Sequence, residues 1–546
     1  MIKKTLLASV TGILLMSLAA CGERNDKTAQ QAAESISTMA GDVITTMDPA
    51  RATDAISAQA MANVYAGLYR YDGKELTPDM ASRRAKVSAD QLSYTFTIRQ
   101  NARWSDGRAV TAQDFVYAWR RAVNPATKSE YAYLFSGIKN ADAIISGKKP
   151  ASSLGVTAHG QTLTVHLSHV IPYFEPLMTL KTFYPVEAKQ VRQYGDKFGT
   201  SSKTLTFNGP YVLQNWQSSD NQWIQRKNSR YWNAKNVHVQ TLKSQVVKDN
   251  GTALDLFQAG KLDDVSVTGD TARQMQPSGD YKVVAQNATF YIEMTQSRVP
   301  AFKSQKVRQA LSMAINRRDF IDQVLGDGSQ PASSVIPSGM TYSSANGADF
   351  AKTVAKKTGQ YSQYNLRKAR ALFAAGMQEL QLKSASFTIV SDDTDNAKDT
   401  LTYLQSAFSK LSSSDAKLTV HTQSVPFKTR VQMSQEHKAD MVVSAWGANY
   451  PDPISFLDLF TSNNAYNSGQ WYNSQYDALV KAASTTDAAN ANKRWADLQA
   501  ATKILTKDVG VIAFYQRGAA HLSKSSIKGM QLSPNGVINF VGVTNK

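Results

Sequence analysis

The 546-residue chain contains a single cysteine, and its position limits the fold more than any other feature. Cys21 follows basic Lys3 and Lys4, an apolar run from Leu6 to Leu18, and small Ala19 and Ala20. These are the three parts of a secretory signal, assigned to residues 1–20. The run is too short for a good membrane span, and no later stretch reaches the roughly 18 uninterrupted apolar residues that a span needs. The rest of the chain is therefore expected to be soluble and outside the cytoplasm. One cysteine permits no disulfide within the chain, so stability has to come from buried apolar surface. With 42% apolar, 9% aromatic and 19% charged residues, the composition can supply such cores. It excludes a disordered, collagenous or disulfide-stapled chain. The length suggests about three or four domains.

Leu18-Ala19-Ala20-Cys21 resembles the lipobox of bacterial lipoproteins. The resemblance implies cleavage before Cys21 and a diacylglycerol on its sulfur. Residues 21–40 are mostly small and polar and read as a flexible tether between lipid and fold. The net charge is +18, from 61 Lys and Arg against 43 Asp and Glu, a field that favours an anionic surface. Nucleic acid is discounted as a partner, because the basic residues are scattered rather than gathered into a phosphate-neutralising block.

Past the tether, the grammar is mixed α/β. Leu92, Tyr94, Phe96 and Ile98 alternate with polar residues as in a half-buried strand, and so do Leu163, Val165 and Leu167. Thr111 with Asp114 predicts a helix start, and Asn124-Pro125 its end. From Val307, apolar Ala310, Leu311, Ala314 and Ile315 predict a helix whose stripe continues through Ile321, Val324 and Leu325. Between 386 and 446 strands alternate with helices: strands at Phe387 to Val390, Leu418 to His421 and Met441 to Trp446, with helices at Asn396 to Leu411 and Thr429 to His437. That order implies a parallel sheet with right-handed crossovers. Ligands bind beyond the carboxyl ends of such strands, which places the residues after Val443 at a site.

Signatures of catalysis are missing. There is no G-x-x-x-x-G-K-[ST] loop, no G-x-S-x-G elbow and no H-E-x-x-H helix. His166 and His169 would point to opposite faces of a strand, so no metal site is expected there. Asp392, Asp393, Asp395 and Asp399 lack the spacing of an EF-hand and read as charges at a helix N-terminus. No cofactor and no metal are expected. A carboxylate pair for glycoside hydrolysis stays open, because such pairs meet only in the fold.

Four segments carry a resemblance. They are Asn101-Ala102-Arg103-Trp104-Ser105-Asp106-Gly107 with Val110 to Trp119, Asn208-Gly209-Pro210-Tyr211 with Arg226 to Trp232, Val307 to Arg317, and Trp446-Gly447-Ala448-Asn449-Tyr450-Pro451-Asp452-Pro453. Together they are similar to the oligopeptide-binding group of the extracellular solute-binding proteins of ABC importers, over nearly the whole chain after the signal. The resemblance implies an α/β, two-lobed periplasmic-binding-protein-like clamp of class II with an extra inserted α/β domain. Lobe I would comprise 41–76, 197–296 and 512–546, the inserted domain 77–196, and lobe II 297–511. It implies no enzymatic activity.

By the family pattern, a peptide's backbone would pair with Thr53, Asp54 and Ala55 on one lobe and with Ala445, Trp446 and Gly447 on the other. Added-strand pairing suits a receptor for many sequences. Ala448 and Asn449 adjoin that segment, and Tyr131, Tyr291 and Tyr450 are candidate pocket walls. The well-known peptide binders carry an aspartate at the position of Asn449, which holds the ligand's amine. Asn449 brings no charge, and a charge-assisted hydrogen bond is about twice as strong as a neutral one. Either the substitution is tolerated in an ordinary peptide binder, or Asp452 or Asp54 compensates, or the ligand's N-terminus is blocked or unanchored, or the ligand is not a peptide.

The function implied is that of a monomeric, lipid-anchored receptor on the outer face of the cytoplasmic membrane of a Gram-positive bacterium, one that passes oligopeptides to an ABC permease. The rivals are a receptor of the same fold for a non-peptide solute, a cell-surface adhesion protein using the basic surface, and an extracellular hydrolase.

Overall fold

Two long strands, Tyr281–Met294 and Ile512–Ser523, run side by side through the middle of the molecule and belong to both of its halves. The computed structural model describes residues 34–462, 464–534 and 536–546. The expected signal and Cys21 lie outside the described residues. On one side of the two strands the sheet continues through Met441–Gly447, Ser384–Ser391 and Lys417–Ser424; on the other through Asp264–Val267, Ser35–Ala40, Thr241–Val246, Gln222–Lys227 and Tyr211–Gln214. The strands Ser384–Ser391, Lys417–Ser424 and Met441–Gly447 are parallel to one another, as their alternation with the helices Asp395–Ser409 and Phe427–Gln435 predicts.

The long strands do not pair evenly. Ala285 opposes Gly518, but the next aligned pair is Thr289 with Gln516, so residues 286–288 face Arg517 alone. A bulge of this kind interrupts the ladder and bends it where one half gives way to the other. Gly518 is required there for space: a Cβ on it would lie 2.5 Å from the Gly328 carbonyl carbon.

A separate four-stranded antiparallel sheet of Lys86–Val87, Ser93–Thr97, Thr162–His166 and Val156–His159 lies within 77–196. Against it packs the helix Ala112–Val123, whose Thr111 and Asp114 form a capping box with the Thr111 N–H donating to Asp114 at 2.8 Å. Phe115, Val116 and Trp119 face inward, and the Trp119 indole donates to the Phe183 carbonyl at 2.9 Å.

The segments that carry the resemblance are mainly fastenings. The Asn208 carboxamide both accepts from and donates to the Ala66 backbone, and Gly209 N–H donates to the Val64 carbonyl. Asp79 is buried beneath the Tyr231 hydroxyl and the Trp232 indole, both at 2.7 Å, with the Arg99 guanidinium 3.5 Å from the Trp232 ring centre. Buried Arg308, on helix Gln305–Ala314, donates to the Val509 carbonyl, and buried Arg317, on the turn that follows, donates to the Ala513 carbonyl of the long strand.

Two expectations are corrected. The tether reaches too far, since Ser35–Ala40 is a strand paired in parallel with Thr241–Val246 along its whole length, with Ile36 fully buried. Small polar residues suit a tether, but Ser and Thr are equally at home where ladder hydrogen bonds and one buried side chain hold the strand. The stripe after Val307 is not one helix either. It stops at Ala314, Asn316 caps a new turn by accepting from Asp319 N–H, and Ile321–Leu325 is wound as a π-turn. The apolar period survives this break, so period alone does not reveal it.

Candidate functional site

The parallel crossover leaves half of one strand uncovered. Ser384–Ser391 pairs with Met441–Gly447 only at Met441 and Val442. Beyond that point the far edge of Met441–Gly447 carries no strand among the described residues. On the near edge, Thr295 N–H donates to Asp440 O and Ala448 N–H to Asn287 O. These two bonds set the alternation of the ladder, so Ser444 and Trp446 bond inward and Ala445 and Gly447 direct their N–H and C=O to the open edge. Ala445 and Gly447 are exposed. Trp446 is half-buried, its ring meeting Tyr466 at 5.2 Å and its indole N–H buried with no hydrogen-bond partner among the described residues.

The opposite wall is built differently. Asp54 caps the helix Ala55–Val64, accepting from Ser57 N–H at 2.7 Å and from the Thr45 hydroxyl at 2.6 Å. Thr53 and Ala55 are exposed, but the Thr53 carbonyl already accepts from the Tyr131 hydroxyl at 3.2 Å. Of the expected pairing backbone on this side, only a short extended stretch precedes the helix.

Aromatic rings bridge the two walls. Tyr131 meets Tyr133 at 6.0 Å and Tyr133 meets Tyr466 at 6.3 Å, while Tyr173 stacks on Tyr450 at 4.4 Å with the planes 8° apart. Tyr291 is buried edge-on against Phe460. Asn449 is half-buried with its carboxamide against the Tyr133 hydroxyl, and its N–H donates to Ser455 Oγ. Ala448 is buried beside it. Tyr133, Tyr173 and Tyr466 are contacts that sequence reasoning missed; each comes from a segment without a motif.

Charges around the cleft fall into two kinds. Asp452 is held by both Arg494 Nη atoms, at 2.8 and 2.9 Å, and accepts from Ile454 N–H. Its charge is met by Arg494, whereas Asp54 caps its helix and has no cation within 4.0 Å among the described residues. Asp458 is different: half-buried, its carboxylate accepts one hydrogen bond, from Asn464 at 3.3 Å, and has no cation among the described residues. Burial pushes its carboxyl up to about 6. Its field reaches Tyr133, Tyr173 and Tyr450. Lys181 is the converse, an ammonium 4.5 Å from the Tyr131 ring centre that burial pulls down to about 8. Behind the site, Glu293 is pushed up to about 7 by burial, with the Ser444 hydroxyl donating to it. No group of three or more metal-ligating side chains occurs among the described residues.

An open strand edge facing an aromatic wall can hold an extended backbone, and the chain as a whole is similar to known proteins. The dipeptide-binding protein of Lactococcus lactis is 36% identical over 492 residues, 88% of this chain and 86% of that relative. The structure of Listeria monocytogenes OppA bound to peptide superposes with a TM-score of 0.85 at 34% identity, covering 94% of this chain and 99% of that one. The murein tripeptide binding protein MppA of Escherichia coli matches with a TM-score of 0.82, but its unliganded open form with only 0.67, both at 27% identity and 94% coverage of this chain. The two are equally alike to this chain in sequence, so the lower score reflects a setting of the halves in that open form that differs from the one here. The profile of the bacterial extracellular solute-binding proteins, family 5, matches residues 75–468. The chain is therefore a member of that family, whose proteins bind solutes rather than transform them.

Proposed function

We propose that this protein captures peptides in the cleft between its halves, anchored by a lipid on Cys21 to the outer face of the cytoplasmic membrane, and delivers them to an ABC permease. The observation that carries the reading is the open edge at Ala445 and Gly447. A peptide lying there finds main-chain donors and acceptors whatever its side chains, and the tyrosines supply walls without demanding one sequence. The relatives named above support it, being a dipeptide-binding protein and an OppA holding a peptide. The inserted domain is 77–196 and the second lobe 297–511, and the bulge at residues 286–288 and Gly518 serves as the hinge on which the lobes close.

The test is mass spectrometry of small molecules released when the purified protein is denatured, paired with calorimetry of the peptides found. Retained peptides that rebind are the expected result. A single dominant non-peptide molecule that rebinds, with no peptide doing so, overturns the reading.

A further inference from the structure

Among the charged side chains that line the cleft, the cations mostly have anions. Arg494 is paired with Asp452 and Arg430 with Asp392, each within 3.0 Å. Lys181 has none. Among the described residues no carboxylate lies within 4.0 Å of its nitrogen and no acceptor hydrogen-bonds to it. It is nonetheless half-buried, on the turn Lys181–Phe183 of the inserted domain. An ammonium removed from water without an anion is penalised, and such a group is kept where it has work to do.

Its surroundings say what that work is. The ammonium lies over the ring of Tyr131, whose hydroxyl bonds to Thr53 O, and Tyr131 in turn meets Tyr133, which reaches Tyr466 across the cleft. Stacking on the ring orients the charge without neutralising it. Asp54 is close enough to be felt by Lys181 but is itself engaged as a helix cap. The charge is thus fixed on the tyrosine wall that faces the open edge at Ala445 and Gly447.

We propose that Lys181 is the anion subsite of the cleft and binds a carboxylate of the captured peptide. The inference rests on the peptide reading above and narrows it to peptides that present a carboxylate to the tyrosine wall. The carboxylate comes from the C-terminus or from an acidic side chain, two sources with one chemistry. A charge-assisted hydrogen bond forms in either case, with the half-buried position keeping water from screening it.

The experiment loads the full protein with a mixture of short synthetic peptides of graded length, each made as free acid and as C-terminal amide and each with Glu or Gln at an internal position. Retained peptides are quantified by mass spectrometry for the wild type, Lys181→Met and Lys181→Arg. Met fills the space over Tyr131 without charge; Arg keeps the charge. In the wild type, free acids should be enriched over amides, or Glu over Gln, by about tenfold. The first result assigns the C-terminus and the second a side chain. Lys181→Met should abolish the preference while still retaining the neutral amides, and Lys181→Arg should keep it. A wild type that retains peptides with neither preference, or a Met variant that keeps the preference, overturns the assignment of Lys181. A wild type that retains no peptide at all overturns the peptide reading instead. Loss of all peptides by the Met variant, with the Arg variant equally inactive, assigns Lys181 to structure and overturns the subsite.

Discussion

The two walls of the cleft solve different problems. The wall ending in Met441–Gly447 offers backbone, an unpaired edge at Ala445 and Gly447 that treats every peptide alike. The wall made by Thr53, Tyr131, Tyr133 and Lys181 offers side chains, with its nearest carbonyl already bonded and its helix already capped. In the proposed function, the first wall supplies general affinity and the second discrimination. The same division recurs within a few residues on the first wall, where Asp452 is locked to Arg494 while Asp458 has no cation among the described residues. A carboxylate in a cleft is therefore not a binding group by position alone; what matters is whether the fold has already neutralised it.

The sharpest way to break this comparison is to unpair Asp452. Arg494→Met leaves a nearly buried carboxylate without its partner, and unfolding titrations should show a loss of about 3 kcal/mol. A loss near zero would mean that the pair is no more structural than Asp458.

Asp458→Asn should move stability the other way. Its folded value of about 6 stands above the 3.8 of an ordinary aspartate, so the folded state holds the extra proton and stability falls as pH rises from about 4 to about 6. Above that window the full penalty is present, and removing the carboxyl should stabilise the free protein at pH 7 by about 3 kcal/mol. Denaturant midpoints across that window should flatten in the variant. A destabilised Asp458→Asn protein would show that the carboxylate serves the fold after all.

The backbone wall is tested by Ala445→Pro. Its N–H points to the open edge, so proline removes a donor that only a ligand uses. Peptide binding should weaken about tenfold, roughly 1.4 kcal/mol, for peptides of every sequence. Sequence-selective loss would instead place discrimination on this wall.

The smallest effect concerns Asn449. Asn449→Asp should raise the preference for free-amine over N-acetylated peptides by about fivefold, roughly 1 kcal/mol. Equal preference in both proteins would show that the amine does not reach this position.

Much of this was legible beforehand for identifiable reasons. The strands and helices between 384 and 447 follow the expected order, because each must bury one face and so writes its period into the chain. The capping box at Thr111 and Asp114 was readable because it is a contact between near neighbours. The strand Ser35–Ala40 was not, since its partners lie more than two hundred residues away, and polar residues in a paired strand look like those in a linker. The family's motif points to Ala445 and Gly447, where the structure leaves a strand edge open, whereas no motif marks the charges of Lys181 and Asp458. A lone Lys or Asp carries no sign of whether an opposite charge will be brought to it.

By itself, the sequence determined the family, the α/β alternation and the segments that close the core, because local periods and caps depend on residues close together in the chain. Only the tertiary structure decided which strand edge stays open, that Asp452 is consumed by Arg494, and that Lys181 stands unpaired on Tyr131. Charge neutralisation and edge pairing are settled between residues distant in sequence, so their outcome exists only once the chain has folded.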